Sequence, residues 1–226
     1  MIRREPQVLA RGFFAPDPVV VAPLLLNKVL VVGQGSGGRS GRIVEVEAYR
    51  ADDPASHSYR GLTARTAVMF GPPGHLYVYR SYGLHWCANV VCGAEGEGAA
   101  VLLRAIEPLT GRPAMYAART GIRRDVDLGS GPGKLTQALG ISGADNGADL
   151  TDPGGLHLAE DGVAPPAAPG VSRRIGISVA VDVPWRWFVA DSAHVSKHPG
   201  PGRPGPRRPG SSGRGPGQPR PPIEQR

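Results

Sequence analysis

The segment GRIVEVEAYRADDPASHSYRG, residues 41–61, concentrates carboxylate, phenol and imidazole groups. Its first half alternates with a period of two, as a strand does, and one face is wholly apolar: Val44, Val46 and Ala48. The opposite face carries the polar chemistry: Ile43, Glu45, Glu47 and Tyr49. A carboxylate beside an aromatic ring can accept a proton while the ring stacks on a flat group. The pattern predicts that the apolar face packs on a core and that the polar face is open to a ligand; the alternative is an ordinary strand with a solvated outer face.

A second group of such residues lies in GHLYVYRSYGLHWCANVVC, residues 74–92. Two strand-like runs around SYG predict a β-hairpin with Tyr82 at its tip. If Tyr79 and Asn89 line the same cleft as Glu47, with His57 arriving from its loop, the result is a flat aromatic cavity with one carboxylate. Such a cavity suits a nucleobase taken out of a duplex, because stacking contributes roughly 1–3 kcal/mol per base. Tyrosine faces also attract cations, so an alkylated, positively charged purine is expected to gain more than a neutral one.

A sheet is needed to hold these groups together. An apolar run at residues 18–32 predicts a short helix leading into a first strand, and TGRPAMYAART and GSGPGKLTQALGI predict two further helices. The segment RRIGISVAVDVPWRWFVAD predicts closing strands. Strands joined mostly by turns, with a few helices between them, predict a single α+β domain, residues 1–197, around a curved, mainly antiparallel β-sheet with the hairpin inserted.

The formal charge of +7 is concentrated at the end of the chain. Residues 198–226 contain six arginines and one glutamate, a net +5, so the other residues carry only +2. Proline and glycine dominate this segment, and we predict a disordered basic tail that attracts a polyanion such as DNA or, equally, a solubilising extension.

No apolar run has the length of a membrane span and no export signal opens the chain, so a cytoplasmic protein is expected. Only Cys87 and Cys92 are present, which fits a reducing compartment and supports neither a disulfide nor a cysteine-based metal site. We therefore expect no metal and no cofactor.

Five ordered motifs resemble the alkyladenine (3-methyladenine) DNA glycosylase family, with bacterial members as the nearest type: GRIVEVEAY, ASHSY, VMFGPPGHLYVYRSYGLHWCANVV, VLLRAIEP and SGPGKLTQAL. The resemblance covers roughly residues 8–195. It implies a monomeric, monofunctional enzyme that flips a damaged purine out of double-stranded DNA and hydrolyses its N-glycosidic bond, leaving an abasic site without cutting the strand. The basic tail has no counterpart in this pattern.

The resemblance also implies a role for individual residues. Glu47 would be the general base that activates water, and Arg104 and the backbone carbonyl of Ile175 would position that water. The remaining roles concern DNA: base contact by Tyr49, His57 and Tyr79, exclusion of normal guanine by Asn89, intercalation by Tyr82, and phosphate contact by Gly131 and Lys134.

Two other functions fit parts of the same pattern. The turn GSGPGKLTQALGI superficially resembles a helix-hairpin-helix glycosylase, but no helices with a catalytic aspartate follow it. A non-catalytic binder of distorted DNA would use the same cavity and tail and would release no base. The zinc signature of a nucleobase deaminase is absent from the sequence.

Overall fold

Nine strands and four α-helices lie within residues 6–33 and 35–196, the part of the chain that this computed structural model describes. The strands are β1 (Gln7–Val8), β2 (Val29–Val32), β3 (Arg39–Tyr49), β4 (Leu76–Ser81), β5 (His85–Cys92), β6 (Ala99–Thr110), β7 (His157–Glu160), β8 (Gly170–Ser172) and β9 (Arg186–Phe188). The helices are α1 (Pro18–Leu25), α2 (Arg112–Ala118), α3 (Asp125–Leu128) and α4 (Pro132–Leu139). Short 3₁₀ helices at 11–13, 35–37, 57–60, 67–70 and 143–145 connect them.

The strands form one antiparallel sheet in the order β1-β7-β2-β3-β6-β5-β4, and β9 pairs with both β3 and β8. The two longest strands, β3 and β6, lie together at its centre. Their pairing shifts register at three places, and bulges of this kind bend a strand and increase its twist. The predicted α+β domain around a curved, mainly antiparallel sheet is confirmed.

Strand β3 is buried on both faces, and here the prediction of an open polar face is wrong. The apolar residues join the core beneath α1, as predicted; Val46 and Ala48 are fully buried. Glu45 and Glu47 are also fully buried, with an exposed fraction of 0% each. The reason is that the segment from β8 to residue 196 folds back over β3 through β9 and supplies hydrogen-bond donors to both carboxylates.

Strands β4 and β5 pair as the predicted hairpin, with Tyr79 opposite Cys87 and Ser81 opposite His85. Tyr82 and Gly83 both have positive φ angles, 49° and 68°, and the Leu84 N–H donates to the Ser81 carbonyl at 3.0 Å. Two successive positive φ angles give a tight turn whose twist matches that of the paired strands. Tyr82 is therefore held at the tip, with 91% of its surface exposed.

The two predicted helices after β6 are confirmed as α2 and α4, whereas the predicted closing strands are mostly absent. Between β8 and β9, residues 173–185 contain no strand and run as an irregular loop. The apolar alternation in ISVAVDV favoured a strand, but Val179 and Val181 are exposed and pair with nothing in the sheet. This loop passes close to β3, as the contacts of Glu47 show below.

The predicted tail, residues 198–226, and the predicted domain boundary at 197 lie outside the described residues. In the part of the chain that is described, no helix has the length and apolar character needed to span a bilayer.

Candidate active site

The carboxylate of Glu47 is the centre of the site. Its Oε2 accepts a hydrogen bond from the Tyr49 hydroxyl at 2.8 Å and lies 3.2 Å from Nη1 of Arg104. Its Oε1 accepts a hydrogen bond from the Ile175 N–H at 2.7 Å. A carboxylate oxygen has about two acceptor positions, so Oε1, with one donor, can accept another hydrogen bond.

Burial raises the pKa of Glu47 above its ordinary value, and Arg104, the Ile175 N–H and the Tyr49 hydroxyl only partly oppose this effect. Burial and the neighbouring Glu47 also raise the pKa of Tyr49 well above its usual range, so this hydroxyl keeps its proton and donates it. The carboxyl of Glu47 thus has a pKa raised above its ordinary value, the direction that makes its carboxylate a stronger base.

Directly behind this carboxylate, Glu45 holds a second buried cluster of charges. Its Oε1 accepts from Nε of Arg104 at 2.8 Å and from Nε of Arg186 at 2.7 Å. Ser196 donates both its N–H, at 2.6 Å, and its hydroxyl, at 2.8 Å. The sequence alone assigned no role to Glu45; in the structure it anchors the guanidinium that also contacts Glu47.

A cavity of about 720 Å³ opens in front of the three groups that bind Glu47. Tyr49, Arg104 and Ile175 line it, and Glu47 lies behind them. The structure thus brings together most of the residues that the sequence assigned to base binding, and we call this space the aromatic cavity; its lining includes Tyr49, His57, Tyr77, Tyr79, Tyr82, Asn89, Arg104 and Ile175.

Three rings form one wall of the aromatic cavity. The rings of His57 and Tyr79 meet edge to face with centroids 4.4 Å apart, and Tyr77 stacks on Tyr79 at 5.8 Å. Tyr77 is buried, but its hydroxyl lies 3.0 Å from Nδ1 of His57 and it also lines the cavity. Burial and the nearby charge of Arg65 lower the pKa of His57, so its imidazole is neutral at neutral pH.

Asn89 is buried at the opposite strand of the hairpin and is fixed by its own hydrogen bond. Its Nδ2 donates to the Tyr77 carbonyl at 3.1 Å. Because that contact fixes the amide, a ligand in the aromatic cavity meets a rigid polar group, which is the arrangement that distinguishes ligands by their edges.

Tyr82, Gly131 and Lys134 lie together at the outer edge of the site. All three line a smaller space of about 450 Å³ between the hairpin tip and the start of α4. Gly131 precedes Pro132 with φ 148°, and a Cβ on Gly133 would lie 2.8 Å from Cβ of His85, so α4 packs closely on the hairpin.

Ile175 contacts Glu47 through its N–H, which donates to the carboxylate, a contact that the sequence did not predict. The predicted contact of its carbonyl oxygen with a water stays a prediction. The sequence also missed Asp53 and Arg174, which form a buried ion pair beside Tyr49. No spacing rule links residues so far apart; the only signal was that Arg174 adjoins Ile175 in RRIGI.

Comparisons with known proteins show which family the chain is similar to. A sequence model of the methylpurine-DNA glycosylase family matches residues 12–193. A protein of Burkholderia lata is 56% identical over 191 residues, which are 84% of this chain and 91% of the relative. One of Rhodopseudomonas palustris is 51% identical over 84% of this chain and 88% of its own. One of Methanoculleus marisnigri is 50% identical over 84% of this chain and 98% of its own.

All three relatives carry the name "Putative 3-methyladenine DNA glycosylase". The chain belongs to the methylpurine-DNA glycosylase family, which confirms the resemblance indicated by the five motifs.

Proposed function

We propose that the chain is a DNA repair glycosylase that takes alkylated or deaminated purines out of double-stranded DNA and hydrolyses the N-glycosidic bond. The observation that carries the proposal is a buried carboxylate with a raised pKa, Glu47, whose two hydrogen-bond donors, Tyr49 and Ile175, and whose ion-pair partner, Arg104, all line the aromatic cavity. Membership of the family gives this geometry its substrate class, DNA with a damaged base.

The flipped purine occupies the aromatic cavity. Tyr79 and His57 offer ring surfaces for stacking, and Tyr49 lies on the side next to Glu47. Asn89, held by its hydrogen bond to Tyr77, crowds the exocyclic amino group of normal guanine and so disfavours the undamaged base.

Glu47 acts as the general base. It takes a proton from a water that attacks the anomeric carbon, and the negative charge that its carboxylate carries before this transfer stabilises the positive charge that builds up on the sugar as the base departs. Arg104 and the Ile175 backbone hold the carboxylate and the water in line. A cationic alkylated purine leaves without help, whereas a neutral base such as hypoxanthine needs protonation as it leaves.

The enzyme is monofunctional in this proposal. Strand cleavage by a glycosylase requires an amine that forms a Schiff base with the sugar. Among the described residues that line the aromatic cavity there is no lysine. Water is therefore the nucleophile, and the product is an intact strand with an abasic site.

Contacts outside the aromatic cavity hold the duplex. Tyr82, exposed at the hairpin tip, fills the space that the flipped nucleotide leaves, and Lys134 and Gly131 contact phosphate at the start of α4. All residues proposed for the site lie in one chain, which fits a monomer. Its substrate, DNA, lies in the cytoplasm of a bacterial cell.

The test is single-turnover base release from a duplex oligonucleotide carrying one methylated purine or hypoxanthine, scored as abasic sites after alkali. We expect Glu47→Gln to bind the duplex but to release base at least about 100-fold more slowly than the wild type, because general-base catalysis contributes roughly that much. Glu107→Gln, on the neighbouring strand β6 and outside the lining of the aromatic cavity, is the matched control and should retain the wild-type rate.

Two outcomes would contradict the proposal. If the wild type bound the lesion and released no base, the chain would be a non-catalytic binder of damaged DNA. If undamaged adenine were released as fast as the lesion, the aromatic cavity would not select damaged purines.

A further inference from the structure

Arg174 is a fully buried guanidinium in the irregular loop between β8 and β9. Its side chain has an exposed fraction of 0% and lies between two rings, 4.6 Å from the centroid of Tyr49 and 5.4 Å from that of Trp185. Arginine stacks well on aromatic faces because its charge is delocalised and weakly hydrated. Two residues beside Arg174 donate hydrogen bonds to Glu47. Arg174 contacts the ring of one of them, Tyr49, and precedes the other, Ile175, in the chain.

The partner of Arg174 is Asp53, in the turn that follows β3, with 1% of its side chain exposed. The pair is bidentate, since Nη1 contacts Oδ2 and Nη2 donates to Oδ1 at 3.0 Å. Nη1 also donates to the carbonyl of Ala48, the residue between Glu47 and Tyr49, at 3.0 Å. One guanidinium thus joins the end of β3, the following turn and the loop.

We propose that Asp53 and Arg174 are a positioning pair that holds the two hydrogen-bond donors of Glu47, the Tyr49 hydroxyl and the Ile175 N–H, in their places. The proposal rests on the proposed role of Glu47 as the general base. Neither member of the pair contacts Glu47 itself; each acts through a neighbour.

The loop needs such a support because most of its backbone lies outside the sheet. Pairing between β8 and β9 ends at Ser172 and Arg186, and residues 173–185 form no strand, although the Trp185 carbonyl accepts a hydrogen bond from the Ala48 N–H at 2.9 Å. Arg174 ties the start of this loop to Asp53 and Ala48 through its Nη groups, and Nη2 also donates to the carbonyl of Ala180, in the middle of the loop, at 3.4 Å. The amide of Ile175, the next residue, is thereby aimed at Oε1 of Glu47.

The burial of this pair is unfavourable for stability alone. Taking two charges out of water costs more than their attraction returns unless every donor and acceptor is satisfied. Nε of Arg174 is buried and has no hydrogen-bond acceptor among the described residues. The geometry is therefore better suited to fixing the position of neighbours than to maximising the free energy of unfolding.

The charged and titratable groups around Glu47 determine how this pair affects the pH dependence of the reaction. On β3 they are Glu45 and Tyr49, on β6 Arg104, on β4 Tyr79, on β9 Arg186, and on the loop Arg174. Of these groups, only Tyr49 is in direct contact with both Arg174 and Glu47. Loss of the Ile175 and Tyr49 donors removes hydrogen bonds that favour the ionised carboxylate, so its pKa rises further.

The test uses Arg174→Lys, which keeps the charge but cannot bind Asp53 bidentately, and Asp53→Asn, which keeps the shape of the side chain but removes its charge. Each variant should release base roughly tenfold to 100-fold more slowly in a single turnover. A general base works only when deprotonated, so the acid limb of the rate profile should also move up by about one pH unit, the equivalent of one hydrogen bond to the charged form.

Arg42 and Asp161 provide the matched control, because they also form a bidentate pair, with Nη1–Oδ1 and Nη2–Oδ2 distances of 3.1 and 2.7 Å. Arg42→Lys and Asp161→Asn should lower thermal stability and leave the acid limb where it is. If Arg174→Lys does not fold, Asp53→Asn carries the test.

An acid limb that stays at its wild-type position in a folded Asp53 or Arg174 variant would overturn the positioning role, whatever the loss of rate. This failure is distinct from a failure of the proposed function. If the proposed function failed, either the wild type would release no base or Glu47→Gln would keep the wild-type rate. If only the positioning role failed, the wild type would stay active, Glu47→Gln would stay slow, and the pair would prove to be structural.

Discussion

Glu45 and Glu47 lie two residues apart on β3, are equally buried, and have pKa values shifted in opposite directions. Burial tends to raise both. For Glu45 the charges of Arg104 and Arg186 and the hydrogen bonds of Arg186 and Ser196 outweigh burial and lower the pKa. Glu47 has one guanidinium nearby, that of Arg104 at 3.2 Å, so the effect of burial prevails and its pKa is raised. Glu45 is therefore a charged group that holds its guanidinium partners in place, and Glu47 is a group that can exchange a proton.

This difference predicts opposite effects on stability when each residue is replaced by glutamine. Glu45→Gln should lower the free energy of unfolding by about 3–5 kcal/mol at neutral pH, because it leaves buried guanidinium charge without its partner. Glu47→Gln should change it little or raise it, since folding disfavours the ionised form of this group.

The contributions of Glu45 and Glu47 to the free energy of unfolding change with pH in opposite directions. The contribution of Glu45 is present above its ordinary pKa of 4.5 and is lost as pH falls through its lower folded value. The contribution of Glu47 is complete below 4.5 and is lost as pH rises through its raised folded value. Urea unfolding at about pH 5 and about pH 8 measures the contribution of Glu47, and a further measurement at about pH 3 measures that of Glu45. A Glu47→Gln variant that lost stability relative to the wild type as pH increased would contradict this assignment.

At the level of elements, the β4–β5 hairpin presents Tyr82 in a way that stability does not require. Its φ of 49° is unfavourable for a non-glycine residue, and its ring is 91% exposed. An exposed ring in a strained turn is consistent with a surface that meets a partner, here the space between two base pairs.

Tyr82→Asn tests this directly, because asparagine tolerates a positive φ and cannot fill a base stack. We expect an unchanged or higher melting temperature. Base release from a paired lesion should fall about tenfold to 100-fold, the equivalent of 1–3 kcal/mol of lost stacking. A lesion that is already unpaired should be released at close to the wild-type rate, and an equal defect on both substrates would exclude the wedge role.

At the level of the whole molecule, charge is divided unevenly, with +5 of the +7 in residues 198–226. Phosphate contacts by arginine release counterions, so they strengthen binding to any DNA sequence and weaken steeply with salt. The described residues must then provide most of the selectivity, since the basic segment carries charge without a phenylalanine, tyrosine or tryptophan and without a carboxylate cluster.

Deletion of residues 198–226 should weaken binding to undamaged DNA and reduce the slope of log K against log salt by up to about 5. The single-turnover rate at saturating enzyme should stay the same, because the residues around Glu47 are untouched. Replacing the six arginines by glutamine in the full-length chain separates charge from length. A large decrease in the single-turnover rate on deletion would contradict the view that residues 198–226 act in DNA binding and not in the chemical step.

The sequence by itself was sufficient to predict the positions of residues that depend only on local backbone geometry. Alternation along β3 placed Glu47 and Tyr49 on one face, and the turn residues around Gly83 placed Tyr82 at a hairpin tip. Local periodicity is sufficient here because strand geometry repeats every two residues. The antiparallel sheet followed from the same pattern, and the ordered motifs identified the family.

Only the tertiary structure decided that the polar face of β3 is buried and which groups meet there. The donors to Glu45 and Glu47 come from Arg104, Ile175 and Ser196, which lie 59, 128 and 151 positions away in sequence from the carboxylates they contact. The loop that carries Arg174 resembles a strand in sequence, but in the structure it forms no strand: Arg174 binds the end of β3, and Val179 and Val181 are exposed. Burial and pKa depend on such distant contacts, and no local pattern encodes them.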